Sequence, residues 1–71
     1  MARYRFYRNG DLMKSAKVST DTGKGWIDDY FEHWSNIEGA TVNRVSDLEL
    51  LVNCNGLDLK FSVTEGDGVN L

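Results

Sequence analysis

The fold is decided by residues 48–63, which read LELLVNCNGLDLKFSV. Apolar and polar side chains alternate on both sides of Asn55-Gly56, as in two strands that each bury one face. Asn and Gly tolerate the positive φ that a two-residue hairpin turn needs. Such a turn gives four opposed pairs that are apolar on both sides: Cys54 with Leu57, Val52 with Leu59, Leu50 with Phe61 and Leu48 with Val63. The stretch therefore predicts an antiparallel hairpin with one buried face.

A second Asn-Gly pair, Asn9-Gly10, predicts another hairpin near the start of the chain. We prefer a three-residue loop over residues 8–10, because it pairs Phe6 with Leu12 and Tyr4 with Lys14. One face then holds Tyr4, Phe6, Leu12, Ala16 and Val18, with Lys14 as the exception. The other face holds Arg3, Arg5, Tyr7, Asp11, Met13, Ser15 and Lys17.

A helix is predicted between the hairpins, because apolar residues recur there at steps of one, three and four. They are Trp26, Ile27, Tyr30, Phe31, Trp34 and Ile37. Thr22 or Gly25 is expected to cap its start, with Asp28 and Asp29 in the first turn, and Gly39 to end it. Residues 40–46 predict one more strand, with a turn at Ser46-Asp47, and residues 65–71 predict a frayed tail.

The predicted element order is ββαβββ, an α+β domain spanning residues 1–71. We expect one antiparallel sheet with a single amphipathic helix packed on one face. One apolar helix stripe can cover only one side of such a sheet. The other side is then exposed to water or is a binding surface.

Charge is unevenly distributed along the 71 residues, whose net charge is −3. Residues 1–24 carry six basic and two acidic residues, hence +4, and residues 25–71 carry two basic and nine acidic residues, hence −7. The two segments either neutralise each other or present separate surfaces to partners. The longest apolar run is Leu50-Leu51-Val52, so no membrane association is expected. The lone Cys54 and the absence of a signal-like start predict a cytoplasmic protein.

No motif predicts catalysis, a cofactor or a metal site. The segment TDTGKGW at residues 20–26 lacks both the first Gly and the final Ser or Thr of a phosphate loop, and instead predicts a flexible segment before the helix. His33 follows Asp29 by four residues, but no nucleophile accompanies them, and a solvated His is expected. Cys54 alternates with core residues and is expected to be buried. Residues 64–68 have too few acids for a calcium loop.

Two surfaces are candidate binding sites. The first is the acidic helix side, with Asp28, Asp29, Glu32 and Glu38, which can meet basic residues of a protein or ribonucleoprotein partner. The second is the basic, aromatic first hairpin, where cations can meet phosphates and Tyr7 can stack on a base. Its residues are Arg3, Arg5, Tyr7, Arg8, Lys14 and Lys17. A domain of this size is expected to lack a pocket of about 300 Å³ or more, which favours binding through a flat surface. A homodimer formed through exposed sheet edges stays open.

The chain resembles the small acidic inhibitor proteins of phages and mobile elements, in particular the anti-CRISPR proteins. The resemblance rests on the length, the ββαβββ order, the lone Cys54 and the acidic helix DDYFEHW (residues 28–34) beside a basic hairpin. It implies a non-catalytic inhibitor that blocks a nucleic-acid-binding effector complex by occupying its surface, in the host cytoplasm if the protein is phage-encoded. The alternative from the residues themselves is a small nucleic-acid-binding domain.

Overall fold

The protein is described by a computed structural model over residues 2–65. The elements are β1 (Ala2–Arg8), β2 (Asp11–Val18), α1 (Thr20–Ser35), β3 (Ala40–Ser46), β4 (Glu49–Cys54) and β5 (Leu57–Glu65). The strands form one antiparallel sheet in the order β2-β1-β5-β4-β3, and α1 packs on one face of it. The predicted α+β fold, with one helix on one side of a sheet, is confirmed.

The hairpin of β4 and β5 has the predicted register. Cys54 lies opposite Leu57, Val52 opposite Leu59 and Leu50 opposite Phe61. The turn residues Asn55 and Gly56 have φ of 53° and 82°, the left-handed region that this turn requires. Leu48 lies just before β4, and its carbonyl accepts a hydrogen bond from the amide of Val63 at 2.9 Å. Local alternation and turn chemistry were sufficient here because both favour the same pairing.

The predicted register of the first hairpin is wrong. Its turn has two residues, Asn9 and Gly10, so that Arg8 lies opposite Asp11 and Tyr7 opposite Leu12. Leu12 therefore shares a face with Tyr7 and is 52% exposed, although it was expected on the buried face.

A β-bulge follows this turn and changes the pairing of the remaining hairpin. Met13 is an extra residue in β2, so that Phe6 lies opposite Lys14 and Tyr4 opposite Ala16. The bulge reconciles a two-residue turn with an apolar face around Tyr4, because one inserted residue reverses the alternation. Pattern matching without an insertion could satisfy only one of these two requirements.

The helix begins earlier than predicted. Ser19 is its N-cap, with the Ser19 hydroxyl oxygen accepting from the Thr22 amide at 3.1 Å, so the expected caps Thr22 and Gly25 lie within the helix. Asp21 is the acidic residue of the first turn, whereas Asp28 and Asp29 lie near the middle. The helix ends at Ser35 with Asn36 as its C-cap, before Gly39. The segment around Gly23, predicted to be flexible, is helical instead.

Gly23 allows the helix to approach the sheet closely. A Cβ at this position would lie 2.8 Å from Cγ2 of Val63 and 3.2 Å from Cγ2 of Val18. Ile27, one turn later, is fully buried against the same side of the sheet. The core beneath the helix consists of Ala2, Tyr4, Val18, Ile27, Leu50, Val52, Leu59, Phe61 and Val63.

The end of β5 differs from the predicted tail. Glu65 is the last residue of β5, and its carboxylate accepts a hydrogen bond from the Thr20 hydroxyl at 3.0 Å. The predicted frayed tail is therefore wrong at Glu65, and the rest of it, residues 66–71, lies outside the described residues. Among residues 2–65, no helix has the length and hydropathy that crossing a bilayer requires.

Both edge strands of the sheet are bulged. Met13 is the inserted residue in β2, and Val45 is the inserted residue in β3, between the pairs Arg44–Leu50 and Ser46–Glu49. Met13 and Val45 are 54% and 51% exposed. Each bulge interrupts the row of backbone groups that an edge strand offers to another chain.

Candidate functional site

The sheet has one face that the helix does not cover, here called the uncovered face. Side chains alternate along each strand, and the neighbours of buried residues such as Tyr4, Val52 and Phe61 therefore lie on this face. Its residues are Leu12, Ser15 and Lys17 of β2; Arg3, Arg5 and Tyr7 of β1; Asp58, Lys60, Ser62 and Thr64 of β5; Glu49, Leu51 and Asn53 of β4; and Thr41 and Asn43 of β3. Among residues 2–65, most of this face is polar, and it carries four cationic and two acidic side chains.

Four of the six residues predicted for nucleic-acid binding lie together on the uncovered face. Lys17 lies opposite Arg3, and Arg5 and Tyr7 follow along β1. The Arg3 guanidinium donates to the Ser15 hydroxyl across the strand pair at 2.9 Å. The first strand therefore presents Arg3, Arg5 and Tyr7 on the same side of the molecule, as the alternation predicted.

The other two predicted residues do not join this face. Lys14 lies opposite Phe6 on the helix side, with its ammonium 5.9 Å from the ring centroid of Trp26. Arg8 is at the end of β1, exposed, and opposite both Asp11 and Leu59. The predicted set is thus divided by the sheet, and these two cations cannot bind the same flat ligand as Lys17.

Lys60 is a member of the uncovered face that the sequence analysis did not identify. It lies opposite Tyr7, with its ammonium 5.7 Å from the centroid of the tyrosine ring and 3.6 Å from Oε2 of Glu49. Nearly half of the Lys60 side chain is exposed, so this pair with Glu49 contributes little stability. The alternation of β5 places Lys60 outward, but only the pairing of β1 with β5 brings it beside Tyr7.

A groove of about 670 Å³ lies on the uncovered face. Its lining includes Tyr7, Asn43, Leu51, Asn53, Asp58 and Lys60. The expectation that so small a domain lacks a concave site is therefore wrong. The groove is formed by the sheet surface itself and opens widely to solvent, unlike an enclosed catalytic cavity. It suits a flat ligand that lies across several strands.

A second, smaller cleft lies between the helix and the first hairpin. It has a volume of about 320 Å³ and is lined mainly by aromatic side chains. Tyr30 stacks on Phe61 with ring centroids 4.5 Å apart, and Phe6 stacks on Phe61 with ring centroids 5.0 Å apart. Burial, together with its contact with Tyr30, raises the pKa of Tyr4 beneath this cleft, so its hydroxyl stays protonated at neutral pH. This cluster supports the packing of the helix on the sheet.

Asp28, the first residue of the predicted acidic site, is paired within the chain. Its carboxylate accepts from the Arg44 guanidinium at 2.7 Å and lies 3.4 Å from the Lys24 ammonium. The hydrogen bond from Arg44 is the main cause that lowers the pKa of Asp28 below its ordinary value. Arg44 also covers the ring of Phe31, at 5.3 Å from its centroid. Asp28 therefore fastens the helix to β3, which makes it a poor contact for a partner.

The other three acidic residues remain exposed, and we call Asp29, Glu32 and Glu38 the acidic helix surface. Within the part of the chain that the structure describes, none of their carboxylates makes a hydrogen bond or an ion pair. Asp29 and Glu32 are three residues apart on the helix, where like charges repel each other. Asp21 adds a fourth exposed carboxylate on this side. It was not predicted as part of the acidic site, because the helix was predicted to begin after it.

The residues considered for catalysis do not converge. His33 is exposed and packs edge-on against Trp34, and within residues 2–65 it forms no ion pair with Asp29. Cys54, expected to be buried, is only half-buried at the end of β4. Across the described residues no three His, Cys, Asp or Glu side chains are grouped as metal ligands. The candidate site taken further is the uncovered face, which groups cations, an aromatic ring and a groove.

Comparisons with protein-family models, with curated proteins and with solved structures find no match for this chain.

Proposed function

We propose that this chain is a non-catalytic macromolecule-binding module, whose uncovered face binds single-stranded nucleic acid. The observation that supports the proposal most directly is the position of Lys60 beside Tyr7, on the same face as Arg3, Arg5 and Lys17. Cations neutralise phosphates, and an aromatic ring on an open sheet offers a stacking surface to a base. A groove of about 670 Å³ around Tyr7 gives a splayed base room to lie across the strands.

The position of Lys60 fits a ligand that supplies both a ring and a phosphate. Its ammonium lies over Tyr7 at 5.7 Å and is only weakly held by Glu49 at 3.6 Å. A base that stacks on Tyr7 replaces the ammonium on the ring, and the long lysine side chain can then turn towards the adjoining phosphate. The exposed ion pair that is lost in this exchange is worth less than about 1 kcal/mol.

The proposal is tested with fluorescein-labelled single-stranded 12-mers of RNA and of DNA, by anisotropy over a range of salt concentrations. We expect affinity to fall steeply with salt, and the double variant Lys17→Gln/Lys60→Gln to reduce the slope of log affinity against log salt by about 1.4, or about 0.7 for each lost phosphate contact. Tyr7→Leu should weaken binding at every salt concentration, because it removes stacking but no charge.

The matched control is the double variant Arg8→Gln/Lys14→Gln. It also removes two positive charges, but from side chains that lie off the uncovered face. We expect it to retain most of the wild-type slope. Equal losses in the two double variants would refute an interface on the uncovered face, and no binding at low salt would refute nucleic-acid binding altogether.

The second candidate function is the inhibitor that the resemblance implies. The acidic helix surface would dock on a basic patch of a nucleic-acid-binding effector complex. The specific observation in its favour is that Asp29, Glu32 and Glu38 are exposed and without ion pairs among residues 2–65, even though Asp29 and Glu32 repel each other. Exposed like charges of this kind raise the rate of association with a cationic partner.

The second candidate is tested by affinity capture from lysate of the native cell, with and without nuclease. The triple variant Asp29→Asn/Glu32→Gln/Glu38→Gln should lose a protein partner that survives nuclease treatment. Asp28→Asn is the matched control, because that carboxylate is already paired with Arg44. Unchanged capture by the triple variant would exclude the acidic helix surface.

We propose a cytoplasmic location for either function. The half-buried Cys54 is the only cysteine of the chain, and an unpaired thiol is compatible with a reducing compartment.

A further inference from the structure

We infer that the groove on the uncovered face binds a guanine base, stacked on Tyr7 and read by the carboxylate of Asp58. The inference rests on the proposed single-stranded nucleic-acid binding and names the base that the same site prefers. Both residues line the groove.

Asp58 is a diagonal neighbour of Tyr7 across the β1–β5 ladder. Tyr7 lies directly opposite Lys60, and Asp58 is two residues before Lys60 on the same face of β5. Diagonal neighbours on paired strands are about 7–8 Å apart, which a long side chain or a planar ligand can span. A base that stacks on the ring of Tyr7 can therefore direct one edge towards Asp58.

The Asp58 carboxylate is held at this edge of the groove. Asn9 fixes the backbone of Asp58 through two hydrogen bonds. The backbone amide of Asn9 donates to the Asp58 carbonyl at 2.7 Å, and the side-chain oxygen of Asn9 accepts from the Asp58 backbone amide at 2.9 Å. The side-chain amide of Asn53 donates to Oδ1 of Asp58. Within the described residues Oδ2 accepts no hydrogen bond. The carboxylate is thus oriented by Asn53 and retains acceptor capacity for a ligand.

Guanine is the base whose edge complements a carboxylate. An ionised carboxylate only accepts hydrogen bonds, and it can accept two in parallel. The Watson–Crick edge of guanine offers two adjacent donors, the ring N1–H and the exocyclic N2–H. The corresponding edges of adenine, cytosine and uracil offer one donor each, next to acceptor atoms that a carboxylate repels. Single-stranded recognition commonly reads these edges on bases that stack on aromatic side chains.

The ammonium of Lys60 adds a complementary charge beside this site. It lies over Tyr7 and near the groove that Asp58 also lines. Guanine carries its carbonyl acceptor O6 next to the N1–H donor. The positive potential around Lys60, which persists when its ammonium turns to the adjoining phosphate, and the carboxylate of Asp58 therefore match the polarity of this edge. Adenine has the opposite polarity at this position, with an amino group in place of O6.

The test compares hexauridine with hexanucleotides in which one central uridine is replaced by guanosine, inosine or adenosine, in RNA and in DNA form. Inosine keeps the N1–H donor and O6 but lacks the amino group, so it removes one of the two proposed hydrogen bonds without altering the protein. We expect guanosine to raise affinity about 10-fold over uridine and adenosine, with inosine intermediate.

Two variants separate a base-reading role from a general effect of charge. Asp58→Asn should abolish the preference for guanosine, and removal of a negative charge should leave affinity for hexauridine equal or higher. Asp29→Asn makes the same charge change on the helix side and should keep the preference. Equal binding of all hexamers by wild-type protein, or a preference that survives Asp58→Asn, overturns the guanine inference and leaves the proposed function standing. Failure of every oligonucleotide to bind overturns both.

Discussion

At position 23 the helix has no room for a side chain, whereas at position 25 it has space for one. A Cβ on Gly23 would lie 2.8 Å from a methyl carbon of Val63, and a Cβ on Gly25 would meet nothing within 4 Å. Both glycines have the same intrinsic cost in a helix interior, about 1 kcal/mol relative to alanine. The contact with the sheet therefore decides what each substitution does.

We expect Gly25→Ala to stabilise the protein by about 0.5–1 kcal/mol and Gly23→Ala to destabilise it by about 1–2 kcal/mol. The first gains helix propensity alone, and the second adds the cost of overpacking against Val63. Urea denaturation of the two variants measures both free energies of unfolding. Stabilisation by both substitutions would show that Val63 yields without cost, and that Gly23 is not needed for close packing.

Asp28 should make stability depend on pH through its contact with Arg44. Its pKa in the folded protein lies below the ordinary aspartate value, mainly because Arg44 donates a hydrogen bond to the carboxylate. The stabilisation is therefore complete above the ordinary pKa of aspartate, and it is lost as the pH falls through the lowered pKa. Asp28→Asn should reduce stability at pH 7 and approach the wild-type protein in strong acid.

Urea denaturation at intervals from pH 7 to pH 2.5 measures this dependence. Asp29→Asn, one residue away, is the control, because Asp29 makes no ion pair within residues 2–65. Its stability should follow the wild-type curve closely. A deficit in Asp28→Asn that is the same at both ends of the pH range would assign the effect to something other than ionisation.

Among the secondary-structure elements, the sequence predicted correctly the features that depend on residues close together in the chain. The β4–β5 register followed from alternation and from Asn55-Gly56, and the helix from its apolar stripe. The helix start was predicted too late, because Gly23 suggested a flexible segment. The structure explains this glycine differently: it lies in the helix and packs closely against Val63, 40 residues later in the chain. The first register was missed because nothing local marks the inserted Met13.

The candidate site divides in the same way between local and distant information. Strand alternation predicted that Arg3, Arg5 and Tyr7 share a face, and this does not depend on any partner strand. Lys17 joins them only through the pairing of β2 with β1 beyond the bulge at Met13. Lys60 and Asp58 enter the site through the pairing of β1 with β5, which joins the two ends of the chain. The ion pair that withdraws Asp28 from the acidic site similarly depends on the packing of α1 against β3.

The observed helix start predicts which hydroxyl caps it. Ser19→Ala should lower the free energy of unfolding by about 1 kcal/mol, because its oxygen accepts from the Thr22 amide at 3.1 Å. Thr22→Ala, the control at the cap expected from the sequence, should cost less, because Thr22 lies inside the helix. Thermal and urea denaturation of the pair distinguish the two starts, and a larger cost at Thr22 would contradict a cap at Ser19.

The bulges in β2 and β3 predict that the whole molecule is monomeric. Each edge strand is interrupted by an inserted residue, and β2 also carries Lys14 and Lys17. Both features discourage a second copy from extending the sheet. We expect sedimentation equilibrium to give the mass of one chain, about 8.0 kDa.

Deletion of Met13 tests the contribution of one bulge to this behaviour. The deletion leaves Leu12 opposite Tyr7 and Lys14 opposite Phe6, now as consecutive pairs in a regular ladder. The straightened edge should increase self-association at high concentration. A wild-type dimer, or a deletion variant that sediments like the wild type, would show that the bulge does not protect this edge.

The layered architecture also separates charge across the thickness of the molecule, which is only 16 Å along its shortest axis. Among residues 2–65, Arg3, Arg5, Lys17 and Lys60 lie on one side, and the unpaired carboxylates of Asp29 and Glu32 on the helix lie on the other. The protein therefore has a dipole moment roughly perpendicular to its sheet, in addition to its net charge of −3. Close to a polyanion, the electric field of the polyanion exerts a torque on this dipole. The torque turns the uncovered face of the sheet towards the polyanion before contact. Orientation during the encounter can thus compensate for an unfavourable overall charge.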